Sequence, residues 1–201
     1  MKEEQDYIKD IAEIRSMMER SSKFLSLSGW AGIMAGLYAL AGAYIAYSLL
    51  GFNPDELFYT SPNLANVVWL AIGILVLALV TAIYFSKRKA DGNGENIWNA
   101  TSRRLLSSMA TPLAAGGVLV LVLLAKGLIG LLAPLMLLFY GLALVNAGRY
   151  TIPEVKIMGF VQIALGLVST WFIEYGLLLW AVGFGAVHMM YGIYMYFSYE
   201  R

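Results

Sequence analysis

Cysteine is absent from this chain, and histidine occurs only once, as His188. The missing cysteine excludes disulfides, thiolate catalysis and cysteine-ligated metal or iron–sulfur centres. One histidine also provides too few ligands for the usual histidine–carboxylate metal clusters. We therefore expect no metal site and no cofactor.

Charge is scarce as well, since 13% of the residues are charged while 60% are hydrophobic. A soluble domain cannot hydrate so apolar a surface, and the composition therefore predicts that the lipid bilayer is the solvent. The apolar segments take up about 130 residues, at roughly 20 residues for each membrane crossing. No room is left for a separate soluble catalytic domain.

Acidic residues are missing from the apolar segments, apart from Glu174 at a boundary. The chain thus has no acid–base pair at membrane depth, and Ser107 and Ser108 have no base partner visible in the sequence. We predict that the protein is not an enzyme. Its basic residues are few and lie where membrane topology explains them, so we also predict no nucleic-acid partner.

Six apolar runs are long enough to cross a membrane. They cover approximately residues 24–50, 64–85, 105–125, 128–147, 157–173 and 176–198. The predicted fold class is all-α: a polytopic membrane helical bundle of six transmembrane helices, arranged as three hairpins. Pro112 and Pro134 fall inside these runs, where a missing backbone N–H predicts a kink.

Basic residues lie almost entirely on one side of the predicted spans. Lys and Arg near span ends are retained in the cytoplasm, so this side is predicted to be cytoplasmic and to hold both termini. Of the fourteen basic residues, Lys126 alone falls on the opposite side. We expect it to snorkel from a tight external turn.

Residues 1–23 contain six acidic and five basic side chains, and they offer no small-residue cleavage site of a signal peptide. They are predicted to form a cytoplasmic amphipathic helix before the transmembrane domain, residues 24–201. Its apolar stripe consists of Tyr7, Ile11, Ile14 and Met18, at the spacing of a coiled-coil seam. The stripe either packs on the protein's own cytoplasmic face or the lipid headgroups, or pairs with a second copy or a cytoplasmic protein partner.

The spans contain a weak internal repeat. The first matches the fifth at four positions, Gly29, Ile33, Gly36 and Leu37 with Gly159, Ile163, Gly166 and Leu167. The second matches the sixth in the same way, as Ala71, Gly73, Ile83 and Tyr84 with Ala181, Gly183, Ile193 and Tyr194. The Tyr140-Gly141 pair of the fourth span echoes Tyr191-Gly192. Three related hairpins and chance similarity among glycine-rich helices both explain the pattern.

Small residues form one face of the first span, at steps of three or four: Gly29, Gly32, Gly36, Ala39 and Ala43. Lipid gives helices no hydrophobic reason to associate, so such a face predicts close contact with another helix. The contact lies either within the chain or between subunits.

Polar side chains at membrane depth indicate function, because they cost free energy unless they face protein or water. The candidate intramembrane site comprises His188, Gln162, Asn146, Tyr140 and Tyr191. His188 is either a neutral packing residue or a sensor of protons or a ligand. Haem ligation by His188 with Met136 or Met189 has little specificity.

The stretch MERSSKFLSLSGWAGIMAG, residues 18–36, resembles the start of a family of uncharacterised small six-span bacterial inner-membrane proteins. The resemblance covers little more than the first span. It implies a location in the bacterial inner membrane and transfers no activity and no functional residue.

Two functions remain open. In the first, the protein is a non-enzymatic sensor or interaction component whose N-terminal helix engages a cytoplasmic partner. In the second, it is a small-molecule or ion transporter or channel with a polar path near the midplane. The scarcity of intramembrane charge favours the first, because ion-coupled transporters usually carry such charges.

Overall fold

The computed structural model describes residues 27–94 and 96–200, and this part of the chain contains helices and no strand. Six helices are long and apolar enough to cross a membrane. They are α1 (Gly29–Leu49), α2 (Leu64–Gly92), α3 (Ala100–Lys126), α4 (Ile129–Ala147), α5 (Pro153–Trp171) and α6 (Ile173–Tyr199). The predicted all-α class is confirmed, and so is the presence of six helices that are apolar enough to span a membrane. The predicted N-terminal helix and its stripe lie outside the described residues.

Helices α2 and α3 extend furthest beyond the predicted apolar runs. Helix α2 continues to Gly92, and α3 already begins at Ala100 because Asn99 caps it. The Asn99 side chain accepts a hydrogen bond from the Ser102 backbone N–H at 2.8 Å, while the Asn99 N–H donates to the Ser102 hydroxyl at 3.0 Å. This reciprocal capping satisfies backbone groups that would otherwise lack partners. Polar flanking residues therefore remain helical on this side of the bundle.

Helix α6 is irregular along its length. It begins with a 3₁₀ turn and a short α-helical part, widens into a π-helix over Ala181–Val187, and ends as an α-helix over His188–Tyr199. A second π-helical part, Ile45–Leu49, ends α1. Single π-helical turns within α-helices are rare and occur often at functional sites. The widened part of α6 is therefore a candidate location for a functional site.

Of the two predicted kinks, only one has a structural cause. Pro112 lies inside α3, twelve residues after the helix begins. Pro134 instead lies in the first turn of the α-helical part of α4, which starts at Leu132 after a 3₁₀ turn. The N–H that proline lacks has no partner in a first turn, so no helix hydrogen bond is lost there.

The closest packing joins α4 to α5 and α1 to α6, with α3 against α4 and α2 against α1. The two closest pairs join different predicted hairpins, so the three-hairpin grouping stays a prediction. The glycine-rich face of α1 meets α6 within the same chain. The sequence had left open whether this contact lies within the chain or between subunits. A Cβ atom on Gly32 would lie 3.0 Å from the Gly192 Cα.

The α1–α6 pair and the α4–α5 pair make equivalent glycine contacts. A Cβ placed on Gly192 of α6 would lie 2.5 Å from the Gly29 carbonyl oxygen and from the Ile33 nitrogen of α1. A Cβ placed on Gly141 of α4 would lie 2.7 Å from the Gly159 carbonyl oxygen of α5 and 2.8 Å from the Ile163 nitrogen there. The residues that meet in α1 and α5 are those that the repeat had matched.

The equivalence continues two turns away. A Cβ on Gly36 would approach the Gly185 oxygen and the Met189 nitrogen, at 2.6 and 2.9 Å. A Cβ on Gly166 would approach the Pro134 oxygen and the Leu138 nitrogen, each at 2.9 Å. Helix α1 thus lies against α6 as α5 lies against α4, which supports the match of the first span with the fifth and of Tyr140-Gly141 with Tyr191-Gly192.

The proposed match of the second span with the sixth has no such support. A Cβ on Gly73 of α2 would meet no atom within 4 Å, whereas Gly183 of α6 packs against the side chains of Leu137 and Gln162. The two glycines therefore occupy different environments. The repeat that the packing supports relates two helix pairs.

The described basic residues, apart from Lys126, lie at one end of the bundle, where α1 and α5 begin and α2 ends. We call this the basic end; its described members are Lys87, Arg88, Lys89, Arg103, Arg104, Arg149 and Lys156. At the other end, the loop after α1 meets the start of α4, where the Gly130 N–H donates to the Leu57 carbonyl oxygen at 3.2 Å. Which end faces the cytoplasm stays a prediction.

Candidate functional site

Three of the five candidate residues meet around one backbone carbonyl inside the bundle. The Gln162 side chain of α5 donates from Nε2 to the Gly183 carbonyl oxygen of α6 at 2.8 Å. The His188 Nδ1 lies 3.0 Å from the same oxygen, and the Tyr140 hydroxyl of α4 lies 2.9 Å from His188 Nε2. We call these four residues the polar cluster. It joins the three helices α4, α5 and α6.

The acceptor Gly183 lies in the π-helical part of α6, Ala181–Val187. Hydrogen bonds there join residues five apart instead of the four of an α-helix. Glycine at this position also leaves room, because a Cβ atom on Gly183 would lie 2.6 Å from Gln162 Oε1. Any larger residue would move the Gln162 amide away from the carbonyl.

The hydrogen bonds of the cluster suit a neutral His188 ring. A carbonyl oxygen only accepts, so the Nδ1 atom donates its hydrogen to Gly183. In the neutral ring the Nε2 atom then accepts, and the Tyr140 hydroxyl donates to it. Both ring nitrogens have partners without a positive charge. This agrees with the interpretation of His188 as a packing residue and provides no water-facing nitrogen for a metal.

Most of the polar cluster is enclosed by protein, although Tyr140 is only half-buried. Gln162 is fully buried and His188 is 8% exposed. An aromatic row covers the histidine: Phe184 stacks on His188 at 5.8 Å between ring centroids and contacts Tyr140 at 5.1 Å, and Trp180 follows at 5.1 Å from Phe184. These side chains therefore behave as a polar core among helices.

One polar atom of the cluster has no partner. The Gln162 Oε1 atom is buried and accepts no hydrogen bond within the described part of the chain. Such a group costs free energy, of the order of 1–3 kcal/mol when it is fully desolvated. The cluster is thus held in an arrangement that leaves one acceptor unsatisfied.

The other two candidate residues do not join the cluster. Asn146 lies toward α3, with its Nδ2 atom 3.4 Å from the Ser108 carbonyl oxygen. Tyr191 packs beside the apolar core near the basic end, and its buried hydroxyl has no hydrogen-bond partner among the described residues. Of the five residues, the structure brings Tyr140, Gln162 and His188 together and leaves Asn146 and Tyr191 outside the polar cluster. Depth in the membrane was predictable for all five, but the direction in which each points was not.

A second polar arrangement, at the basic end, was missed by the sequence reasoning. The Glu200 carboxylate lies 3.1 Å from Lys89 Nζ and accepts from the Gly29 N–H at 2.8 Å. Lys89 Nζ also donates to the Leu27 carbonyl oxygen at 2.7 Å. We call these four residues the clasp. It ties the end of α6 to the end of α2 and to the start of α1.

The hydrogen bond of Glu200 to the start of α1 has two physical causes. The residue before α1, Ser28, makes no side-chain cap, so Glu200 provides the acceptor that the first helical N–H needs. A carboxylate at a helix N-terminus is also favoured by the helix dipole. A sequence signal was present, because Glu200 is an acid at the end of the last span, on the predicted side of Lys89. The basic residues had been explained by topology alone.

Within residues 27–94 and 96–200, no three histidine, aspartate or glutamate side chains come together as a potential metal site. Both polar arrangements hold helices together. The polar cluster does so through the Gly183 carbonyl, and the clasp does so through the Glu200 carboxylate. Comparison with known proteins adds no family to this description. No protein-family model, no curated protein and no solved structure matches the chain.

Proposed function

We propose that this protein is a non-enzymatic, multi-pass membrane sensor or interaction component. In this proposal the polar cluster responds to a signal within the membrane, and the N-terminal segment engages a cytoplasmic protein or a second copy of the chain. The resemblance noted for residues 18–36 supports a location of such a component in the bacterial inner membrane. The charge asymmetry supports cytoplasmic termini.

The observation that carries the proposal is that α6 bears both polar arrangements. His188 belongs to the polar cluster and Glu200 to the clasp, and the α-helical part of α6 that starts at His188 connects them. Twelve residues of α-helix correspond to about 18 Å. A shift of α6 at the cluster is thus transmitted along one rigid helix to the basic end.

The clasp then carries the shift to the segment before α1. Lys89 links Glu200 to the Leu27 carbonyl oxygen, and Leu27 lies four residues after the segment 1–23 that holds the predicted stripe. An altered position of Glu200 therefore changes how that segment leaves the bundle. Coupling of this kind needs an element with two discrete arrangements. The π-helical part over Ala181–Val187, beside an unsatisfied Gln162 oxygen, is the element we assign to this role.

The transporter alternative receives less support from the same contacts. A polar path needs side chains that follow one another across the membrane beside water. Gln162 is fully buried and Asn146 points to a carbonyl of α3. Within the described residues, no hydrogen bond joins Asn146 or Tyr191 to the polar cluster.

The test of partner engagement uses the stripe directly. Ile11→Glu with Ile14→Glu places two charges on the stripe, while Gln5→Glu with Ser16→Glu places two on the opposite face of the same predicted helix. Crosslinking in membranes, followed by identification of the products, measures association. We expect the first variant to lose its crosslinked partner or dimer and the second to keep it, with both inserted in the membrane. Equal crosslinking of both variants would remove the proposal.

The test of coupling uses the clasp. Glu200→Gln keeps an acceptor for the Gly29 N–H but removes the ion pair with Lys89. We expect this variant to change the yield or position of the same crosslinks while the stripe residues remain unaltered. A crosslinking pattern identical to that of the unaltered protein would show that α6 and the N-terminal segment are independent.

A further inference from the structure

A cavity of about 690 Å³ opens at the basic end, between the start of α1 and the ends of α2 and α6. Its lining combines two cationic side chains, Arg88 and Lys89, with the aromatic rings of Trp30 and Phe85. We propose that this cavity binds the headgroup of an anionic phospholipid, with the phosphate at Arg88 and the glycerol and first acyl carbons against the aromatic rings.

The charge of the cavity favours an anion. Lys89 and Glu200 compensate each other at 3.1 Å, so they contribute little net charge. Arg88 is exposed, and within the described residues it makes neither a hydrogen bond nor an ion pair. The guanidinium group has a planar set of donors that matches two oxygens of a phosphate. The unpaired Arg88 is therefore the group to which a phosphate binds.

The aromatic wall favours a lipid over a soluble anion. Trp30 and Phe85 stack with 6.5 Å between ring centroids, and Trp30 meets the edge of Tyr196 at 5.6 Å. Aromatic rings at a membrane interface lie at the level of the headgroups and adjoin the first acyl carbons. A free phosphate would contact only the cationic part of the cavity. A phospholipid uses both parts.

The position along α2 fits this depth. Phe85 and Arg88 are three residues apart in one helix, about 4.5 Å along its axis. Phe85 lies at the end of the apolar run, and Arg88 in the polar continuation of the helix. The aromatic part of the cavity therefore adjoins the apolar layer, and the guanidinium adjoins water, as a phospholipid requires. Basic pockets between membrane helices are known to bind anionic headgroups.

The cavity also contains the clasp, which gives lipid binding a consequence. A phosphate beside Lys89 competes with Glu200 for the ammonium group. This consequence, though not the binding itself, rests on the proposed function: the composition of the leaflet would be a signal that reaches the N-terminal segment. The binding is measured without any partner and is therefore tested separately.

The experiment uses the full chain in detergent and native mass spectrometry with phosphatidylglycerol or phosphatidylcholine. We compare the unaltered protein with Arg88→Gln and with the control Arg104→Gln, an exposed arginine of the same end that does not line the cavity. We expect phosphatidylglycerol to be retained more strongly than phosphatidylcholine, and Arg88→Gln to reduce this preference by about fivefold or more, as loss of a charge-assisted contact predicts. Arg104→Gln should leave the preference unchanged.

Two further measurements identify the ligand. Trp30→Ala should weaken retention of phosphatidylglycerol, and millimolar inorganic phosphate should not displace it. Equal retention of the two lipids, or equal losses in Arg88→Gln and Arg104→Gln, would overturn the proposal. Displacement by inorganic phosphate would also overturn it, in favour of a simple anion site. A loss of lipid binding with intact crosslinking to a partner would leave the proposed function standing without this ligand.

Discussion

Gly29 and Gly192 lie so close across the α1–α6 interface that a Cβ atom on either would be 2.5 Å from the carbonyl oxygen of the other. Backbone contact of this kind is what holds membrane helices together in the absence of a hydrophobic driving force. It depends on the lack of a side chain at both positions. The relationship makes the interface sensitive to a single methyl group.

Gly192→Ala is therefore expected to destabilise the protein by roughly 1–3 kcal/mol, as for other overpacked interfaces. The matched control is Gly73→Ala, since a Cβ there meets no atom within 4 Å and alanine favours the helix. Thermal unfolding in detergent measures both. A stability for Gly192→Ala equal to that of Gly73→Ala would contradict the observed packing.

A double-mutant cycle tests the hydrogen bond between Tyr140 and His188. Tyr140→Phe and His188→Leu each remove one partner of the 2.9 Å contact, and the double variant removes both. Hydrogen bonds between membrane helices contribute about 0.6 kcal/mol on average, up to about 1.7. We expect a coupling energy within that range from unfolding in detergent. Additive effects of the two substitutions would show that the bond contributes no stability.

Gln162 allows two substitutions with different expected costs. Gln162→Met loses the hydrogen bond to the Gly183 oxygen but also removes the buried oxygen that has no partner, so we expect a change below about 1 kcal/mol. Gln162→Glu either puts a carboxylate against a carbonyl oxygen that only accepts or must bind a proton at a free-energy cost near neutral pH, so it should destabilise more. Unfolding in detergent ranks the two variants. A more stable glutamate variant would mean that the side chain faces water.

Glu200→Ala removes the acceptor of the first helical N–H of α1 together with the ion pair. Loss of a helix cap costs about 0.5–2 kcal/mol. We expect faster hydrogen exchange of the first turn of α1, measured by mass spectrometry, and slower exchange for Glu200→Gln than for Glu200→Ala. Glu174→Ala is the control, because Glu174 is exposed at the other end of the bundle. Equally fast exchange near Gly29 in Glu174→Ala would show that the faster exchange in Glu200→Ala does not come from loss of the clasp.

The absence of cysteine permits a direct test of the predicted orientation. Asp91→Cys places a thiol at the basic end without removing a positive charge, and Lys126→Cys places one at the other end. A membrane-impermeant maleimide applied to intact cells should label Lys126→Cys at once and Asp91→Cys only after permeabilisation. The reverse labelling pattern would show that the predicted topology is inverted, and that the proposed partner would then lie on the opposite side of the membrane.

Much of the fold was predictable from the sequence because bilayer thickness constrains the length of an apolar helix. Residues 64 and 147 were predicted to bound spans, and α2 begins and α4 ends there. The extension of α3 back to Ala100 was missed, since an Asn99 cap acts on polar residues that hydropathy ignores. Glycine spacing predicted an interface on α1, but only the packing identifies α6 as its partner.

The candidate site was less predictable for a related reason. Hydropathy gives the depth of a polar side chain, but the helix rotation that decides its neighbours depends on packing. His188 and Tyr140 meet because the π-helical part of α6 changes the rotation of everything that follows it, and no residue type in AVGFGAV specifies that change. Tyr191 follows three residues later, yet its hydroxyl makes no hydrogen bond to the polar cluster.

The contact of α1 with α6 has a consequence for biosynthesis. The Gly29 N–H and the Glu200 carboxylate that caps it are 171 residues apart in the chain. During synthesis, α1 enters the membrane long before α6 has been made. The glycine face of α1 therefore lacks its partner until α6 is inserted. The earliest inserted helix is thus among the last to be secured, and a chain cut short before α6 would leave that face open to whatever other helix lies nearby.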